Sequence, residues 1–290
     1  MGHLEFLQHS PGKDDERMTA RAKKGAAFQA LHQRDEAFII PNPWDIGTAR
    51  ILAHLGFEAL ATTSAGFAAS IGRRDYGVDR NEVMAHIASI VAATPLPVSA
   101  DLENGFGDAP EFVAETIGLA AAAGVVGGSI EDATGKPDSP IYDFKAAVDR
   151  VRAAAEAARA LAFPFMLTAR CENYLNGKPD IKDTIRRLQA YQEAGADALY
   201  APGLTTREDI AAVVSSVDRP VNVLAGLPGM EMNRAELSAM GVKRISIGSG
   251  LARAAFSAFV RGAMEMHDEG TFEFAENTLM LSEIGKMFDA

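Results

Sequence analysis

The sequence predicts a single (β/α)8 barrel, and three observations carry that expectation. The first is a repeated unit in which an alanine-rich amphipathic stretch stops at a glycine and a short apolar run follows. Gly56 precedes EALATT, Gly124 precedes VGGSIED, Gly195 precedes DALYAP and Gly241 precedes KRISIG. A glycine at such a stop suits the left-handed position that closes a helix. The runs are too short for helices and mostly free of charge, the pattern of strands buried on both faces of a parallel sheet. The second observation is four more runs of the same kind: AFIIPNP (37–43), LPVSADLE (96–103), FPFMLTAR (163–170) and RPVNVLAG (219–226). The third is length. At 290 residues with no Pro/Gly/Ser-rich linker, the chain has room for one barrel of ~250 residues and no visible division.

Eight strands alternating with helices imply a parallel sheet, and an open doubly wound sheet is the alternative to closure. The missing Gly-x-Gly-x-x-Gly turn after the first strand counts against a dinucleotide fold. The domain expectation is therefore one unit over 1–290. Residues 1–20 are read as a polar arm, and about 256–290 as a helical segment rich in Met264, Met266, Phe272, Phe274, Leu279, Leu281 and Phe288. That is more apolar surface than a barrel's last helix needs, and it points to contact between subunits.

Composition narrows the function. A net charge of −11 argues against nucleic acid or an anionic membrane as partner. No apolar run reaches the ~20 residues of a membrane span, and the first twenty residues lack a signal-peptide core, so the expected location is the cytoplasm. The lone Cys171 excludes an internal disulfide and a cysteine-rich zinc site.

Barrel enzymes work at the carboxyl ends of their strands. There the sequence places Trp44, the turn Thr62–Gly66, Asp101 and Glu103, Glu131 and Asp132, Arg170 and Glu172, Asn222, and Gly248–Gly250. Asp101 and Glu103 are two apart and so should point the same way from one strand, with Glu131 arriving from the next. Three carboxylates aimed at one pocket call for a cation, and oxygen-only ligands suit Mg2+, with Mn2+ possible. Arg170 is placed to grip a carboxylate or to pair with the neighbouring acids. Thr63, Ser64 and Ala65 offer hydroxyl and backbone N–H groups to an anion, and Trp44 and Asn222 are further candidate substrate contacts. Cys171 should point away from Arg170, as a packed thiol behind the barrel wall.

These pieces resemble the isocitrate lyase/phosphoenolpyruvate mutase superfamily: TTSAG (62–66), Asp75 in GRRDYG, ADLENGFG (100–107), IED (130–132), TAR (168–170) and EAGADALY (193–200). The resemblance implies a Mg2+-dependent barrel that makes or breaks C–C or C–P bonds beside a 2-oxo acid through a metal-held enolate. It also implies exchange of the eighth helix within a dimer or tetramer. By the same resemblance Asp101, Glu103 and Glu131 hold the metal mostly through water, Asp75 is a further acid near it, Thr63–Ala65 hold the substrate carboxylate, and Arg170 contacts the anionic substrate.

Two departures bear on the reaction. The cleaving lyases carry Lys-Arg/Lys-Cys-Gly-His on a loop after strand 4, whereas this loop reads ATGKPDSPIYDF (133–144) and has Ser139 where the cysteine is expected. Ala201-Pro202 stand where the lyases have a glutamate. Glu172 is therefore a candidate acid/base in place of the missing thiol. The expected activity is C–C cleavage or decarboxylation of a small 2-oxo or 2-hydroxy acid, with hydrolase or phosphonomutase chemistry as the near alternative. A barrel that binds a 2-oxo acid without turnover is a third reading. A phosphate-ester barrel using Gly226 and Gly248–Gly250 is disfavoured, because no lysine ends a strand.

Overall fold

The computed structural model describes residues 11–289. Eight strands alternate with helices: β1 Phe38–Ile40, β2 Leu60–Ala61, β3 Val98–Asp101, β4 Gly127–Glu131, β5 Met166–Arg170, β6 Ala198–Tyr200, β7 Val221–Leu224 and β8 Arg244–Ser246. Every run named from the sequence contains one of them. All pairings are parallel, in the order β1-β8-β7-β6-β5-β4-β3-β2. The remaining seam, between β1 and β2, is bridged by Ala61 N–H donating to the Pro41 carbonyl at 3.1 Å. This is the predicted (β/α)8 barrel, nearly closed.

The helices are α1 Pro11–His32, α2 Ile46–His54, α3 Ser64–Ser70, α4 Arg80–Ala93, α5 Pro110–Ala123 and α6 Phe144–Arg159. After them come α7 Ile181–Ala194, α8 Arg207–Ser215, α9 Arg234–Ala239, α10 Gly250–Asp268 and α11 Leu281–Lys286. The glycine stops behave as the sequence suggests: α5 and α7 close on Gly124 and Gly195 at φ 110° and 111°, where a side chain would be strained. Two apolar layers fill the space between strands and helices. One is centred on Leu60, Ile87, Ile117 and Leu167, the other on Leu188, Tyr191, Leu199 and Val213. None of the described helices is long and apolar enough to cross a membrane.

Of the stretch read from the sequence as a polar arm, residues 1–10 lie outside the described residues, and 11–20 form the first turns of the 22-residue α1. The later part of α1 packs at the amino ends of the strands. Gly25 lies so close to Pro164, just before β5, that a Cβ would come within 2.3 Å of its carbonyl oxygen, and the Phe28 ring abuts Gly127 at the start of β4.

The C-terminal segment is helical as expected, although broken: α10, a 3-10 turn at Glu273–Asn277, then α11. The Phe274 ring folds back onto Gly262 of α10, where a Cβ would stand 3.1 Å away. Most of the apolar side of the segment is left open, with Phe259 74%, Phe272 68% and Leu281 86% exposed.

Candidate functional site

At the carboxyl ends of the strands lies a cavity of about 190 Å³. Side-chain alternation builds it: on β5, Ala169 faces the apolar layer while Arg170 faces inward and lines the cavity. Thr63, Ser64, Ala65, Asp75, Asp101, Arg170 and Asn222, all candidates from the sequence, share this wall.

Arg170 is the centre of the arrangement. Its Nη1 donates to Asp101 Oδ1 at 3.0 Å and its Nε to Glu172 Oε1 at 2.8 Å, while Nη2 lies 3.1 Å from Glu131 Oε2. The pairing with neighbouring acids, weighed from sequence as the plain alternative for Arg170, is present. Burial pulls the guanidinium's pKa down, but Glu131, Glu172 and Asp101 together hold it well above its ordinary value.

Asp101 also accepts the backbone N–H of Ser64 at 3.1 Å, joining the end of β3 to the first turn of α3. Thr63 caps that helix through its hydroxyl, which accepts Gly66 N–H at 3.2 Å. Part of what the sequence offered as an anion cradle is thus already engaged within the protein. Asp75 takes a hydrogen bond from the Ser64 side chain. Burial, with repulsion from Asp101, raises its carboxyl above the usual range.

Glu103 departs from the pleat argument. The strand ends at Asp101, and Glu103 adopts a left-handed φ of 48°, so strand alternation does not aim it. It is buried and does not line the cavity, yet it feels Asp101 and Asp75. Burial first, then those two charges, push its carboxyl up to about 8. Glu131 is likewise buried away from the cavity, held by Arg170 and by the Tyr76 hydroxyl, which donates to it. Burial, then Glu172 and Asp101, drive its pKa well above normal against the pull of Arg170.

Glu172 does not line the cavity either. It is buried, spent on Arg170, and anchored by its own N–H donating to Asp132 Oδ1 at 2.7 Å. Its carboxylate meets Arg170 Nε at 2.8 Å, the geometry of a residue that fixes Arg170. Trp44 does not line this cavity; its backbone N–H donates to Thr48 Oγ1 at 3.2 Å, and its Cβ packs toward Gly66. Cys171 is fully buried in the outer apolar layer, as expected of a packed thiol.

Sequence reasoning missed four contributors. Tyr76, at a left-handed φ of 59°, bonds Glu131 and lays its ring against Gly135 of the 133–144 loop; only its place beside Asp75 hinted at it. Tyr200, passed over at the end of an apolar run, places its ring 5.2 Å below the Arg170 guanidinium carbon. Ser246 receives Asn222 Nδ2 at 2.9 Å. Arg244, a charge inside the apolar KRISIG run, lines the same cavity as Arg170. The last signal was legible, since a buried strand rarely carries an unpaired arginine. The loop itself is pinned by an Ala133–Ile141 bridge and by Lys136 on Asp108 at 2.7 Å.

The chemistry of the acids fits a divalent cation. Asp75, Asp101, Glu103, Glu131 and Glu172 all lie in the field of Arg170, and four of them are held protonated more readily than normal. A hard cation would relieve that repulsion. Among the described residues, however, no three His, Cys, Asp or Glu side chains converge on one ligating point. That agrees with the expectation from the resemblance that Asp101, Glu103 and Glu131 act on a metal mostly through water rather than as direct ligands. Of the three, only Asp101 reaches the cavity, because Glu103 leaves the strand geometry and Glu131 is taken by Arg170 and Tyr76.

Fold and site together define a parallel barrel with an acidic, arginine-bridged cavity at its carboxyl face. Residues 28–267 match the family model for phosphoenolpyruvate phosphomutase, and the chain belongs to that family, within the phosphoenolpyruvate mutase/isocitrate lyase superfamily. It is 60% identical to a Burkholderia cenocepacia J2315 protein of known structure described as a lyase/mutase, with a TM-score of 0.91 over 94% of this chain and 98% of that one. It is 31% identical over 189 residues to the 2-methylisocitrate lyase of Salmonella typhimurium, covering 62% of this chain and 63% of that enzyme. To the oxaloacetate decarboxylase of Chromohalobacter salexigens it is 28% identical over 260 residues, 87% of this chain and 88% of the relative. These relatives are enzymes of a superfamily of lyases, hydrolases and mutases acting on small oxo acids.

Proposed function

We propose that this protein is a Mg2+-dependent carbon–carbon lyase that cleaves or decarboxylates a small 2-oxo or 2-hydroxy acid. The observation that carries the reading is the junction at Asp101, which meets Arg170 and the Ser64 N–H on the wall of one small cavity. Asp101 would hold the ion directly, with Asp75, Glu103 and Glu131 acting on it through water, since Mg2+ usually keeps several of its waters. When bound, the ion supplies Lewis-acid stabilisation of developing enolate charge.

The chain's own residues do the rest. Thr63, Ser64 and Ala65 line the end of the cavity where a substrate carboxylate is received, and Asn222 lines the facing wall. Arg170, fixed by Glu131 and Glu172 below and by the Tyr200 ring, places a permanent positive charge beside the reacting centre. The loop at 133–144 brings no thiol and no histidine, and this favours loss of carbon dioxide, which needs less proton transfer to a leaving group, over cleavage of a tricarboxylate. The cavity of about 190 Å³ is smaller than the ~300–1,000 Å³ of pockets that take drug-sized ligands, which supports a small substrate. The open apolar side of the C-terminal segment supports a homo-oligomer, a dimer or tetramer formed through that segment.

The test is a panel of 2-oxo acids and 2-hydroxy di- and tricarboxylates assayed with and without Mg2+. Turnover of a small 2-oxo acid that is abolished by a chelator is expected. Activity indifferent to chelator would overturn the metal-dependent reading, and tight binding without turnover would leave a non-catalytic 2-oxo-acid barrel.

A further inference from the structure

The cavity holds two arginines, and they are partnered very differently. Arg170 touches three carboxylates. Arg244, with 6% of its surface exposed, has no acidic side chain within salt-bridge distance among the described residues. Its Nε donates to Asn222 Oδ1 at 2.9 Å, and its Nη1 lies 3.5 Å from His32 Nε2. His32 Nδ1 is 2.8 Å from the Phe28 carbonyl, so that nitrogen carries the proton and Nε2 is left as acceptor. Burial and the nearby Arg244 keep this histidine neutral. A guanidinium has five N–H donors, and these two contacts use only two of them.

A buried cation without an anion is costly unless something compensates it. The compensation has an evident place to come from, because Arg244 lines the same cavity as Arg170 and Ser64. β5 and β8 are three strands apart in the ring, and Arg170 and Arg244 both line the cavity. At about 190 Å³ that cavity admits a molecule of a few carbons.

We propose that Arg244 receives the distal carboxylate of the substrate and makes the site selective for short dicarboxylic acids over monocarboxylic ones. The inference rests on the 2-oxo-acid reading above and extends it. Arg170 is poorly suited to this task, because its N–H groups are already committed to Asp101, Glu131 and Glu172. Asn222 sets the approach: it accepts from Arg244 and donates to Ser246, whose hydroxyl lies 3.4 Å from that of Tyr200.

The experiment compares binding of malate and pyruvate by calorimetry in the presence of Mg2+. It uses the wild-type protein, Arg244→Gln, and Asn222→Asp, a near-isosteric change that offers the same guanidinium an internal carboxylate. A charge-assisted contact is worth a factor of roughly 10 to 100 in affinity. Arg244→Gln should weaken malate by about that factor and leave pyruvate within about threefold, and Asn222→Asp should weaken malate by a larger factor than it weakens pyruvate. Equal losses for the two acids, or no loss for either in a folded variant, would overturn the proposal while leaving the 2-oxo-acid reading in place. Should Arg244→Gln fail to fold, Asn222→Asp decides alone. Wild-type protein that binds neither acid would remove both readings.

Discussion

Arg170 Nη1 donates to Asp101 Oδ1 at 3.0 Å, joining the ends of β5 and β3 across the intervening β4. Asp101's other oxygen accepts the Ser64 N–H, so this one carboxylate connects the arginine to the turn that lines the cavity mouth. Asp101→Asn keeps the shape and removes the charge. Its expected effect is a fall of about 10³-fold in kcat/KM, the scale of losing one electrostatic contributor to a transition state. Stability should change by less than about 1 kcal/mol, because the acids around it are relieved of a repelling neighbour. Unchanged activity with Mg2+ would remove Asp101 from the metal site.

Arg170→Met tests the opposite side of the balance. It leaves Glu131 and Glu172 buried, each less than 5% exposed, without their cation. Removing one partner of a buried ion pair typically costs about 3–5 kcal/mol. Here the cost should shrink at low pH, where both acids can be protonated. Urea unfolding at pH 5 and pH 8 would show it as a deficit much larger at pH 8; an equal deficit at both would mean that lost packing, not charge, dominates.

Much of this was legible in the sequence. The eight strands were visible because a fully buried parallel strand has to be apolar and short, and because Gly124 and Gly195 mark helix ends that only glycine closes without strain. Arg170 and Asp101 were visible because a charged residue at the end of such a run has few other reasons to be there. The aim of Glu103 was not, since it depends on a left-handed backbone angle that strand alternation cannot anticipate. The separation of Glu131 from the cavity depends on Tyr76, a loop residue 55 positions away in sequence.

Glu103 gives the protein a pH signature. Its carboxyl has a raised pKa, about 8 in the folded chain against 4.5 ordinarily. Between those values the folded state binds a proton that the unfolded state has released, so stability falls as pH rises. The contribution is fully present below about pH 4.5 and lost through pH 8. Without added metal, Tm should therefore decline from pH 5 to pH 8. Mg2+ should raise Tm more at pH 8 than at pH 5.5, because a cation favours the ionised carboxylates that low pH removes. Equal stabilisation at both pH values would separate Glu103 from any metal site.

The C-terminal segment makes the last prediction. Phe259 in α10 and Leu281 in α11 are 74% and 86% exposed, and Phe272 between them 68%. Large apolar side chains gathered on one segment are rare on a monomer's surface and usual on a surface that another subunit covers. Burying each side chain in a partner would contribute roughly 1.5–3 kcal/mol. The wild-type protein should accordingly elute as a dimer or tetramer with a mass to match by light scattering. Phe259→Asp with Leu281→Asp should shift it toward monomer, since each charge would have to be buried without a partner for the contact to form. The barrel core does not depend on either residue, so circular dichroism of the double variant should keep the wild-type helical signal. A wild-type monomer at micromolar concentration would rule out the segment as an interface.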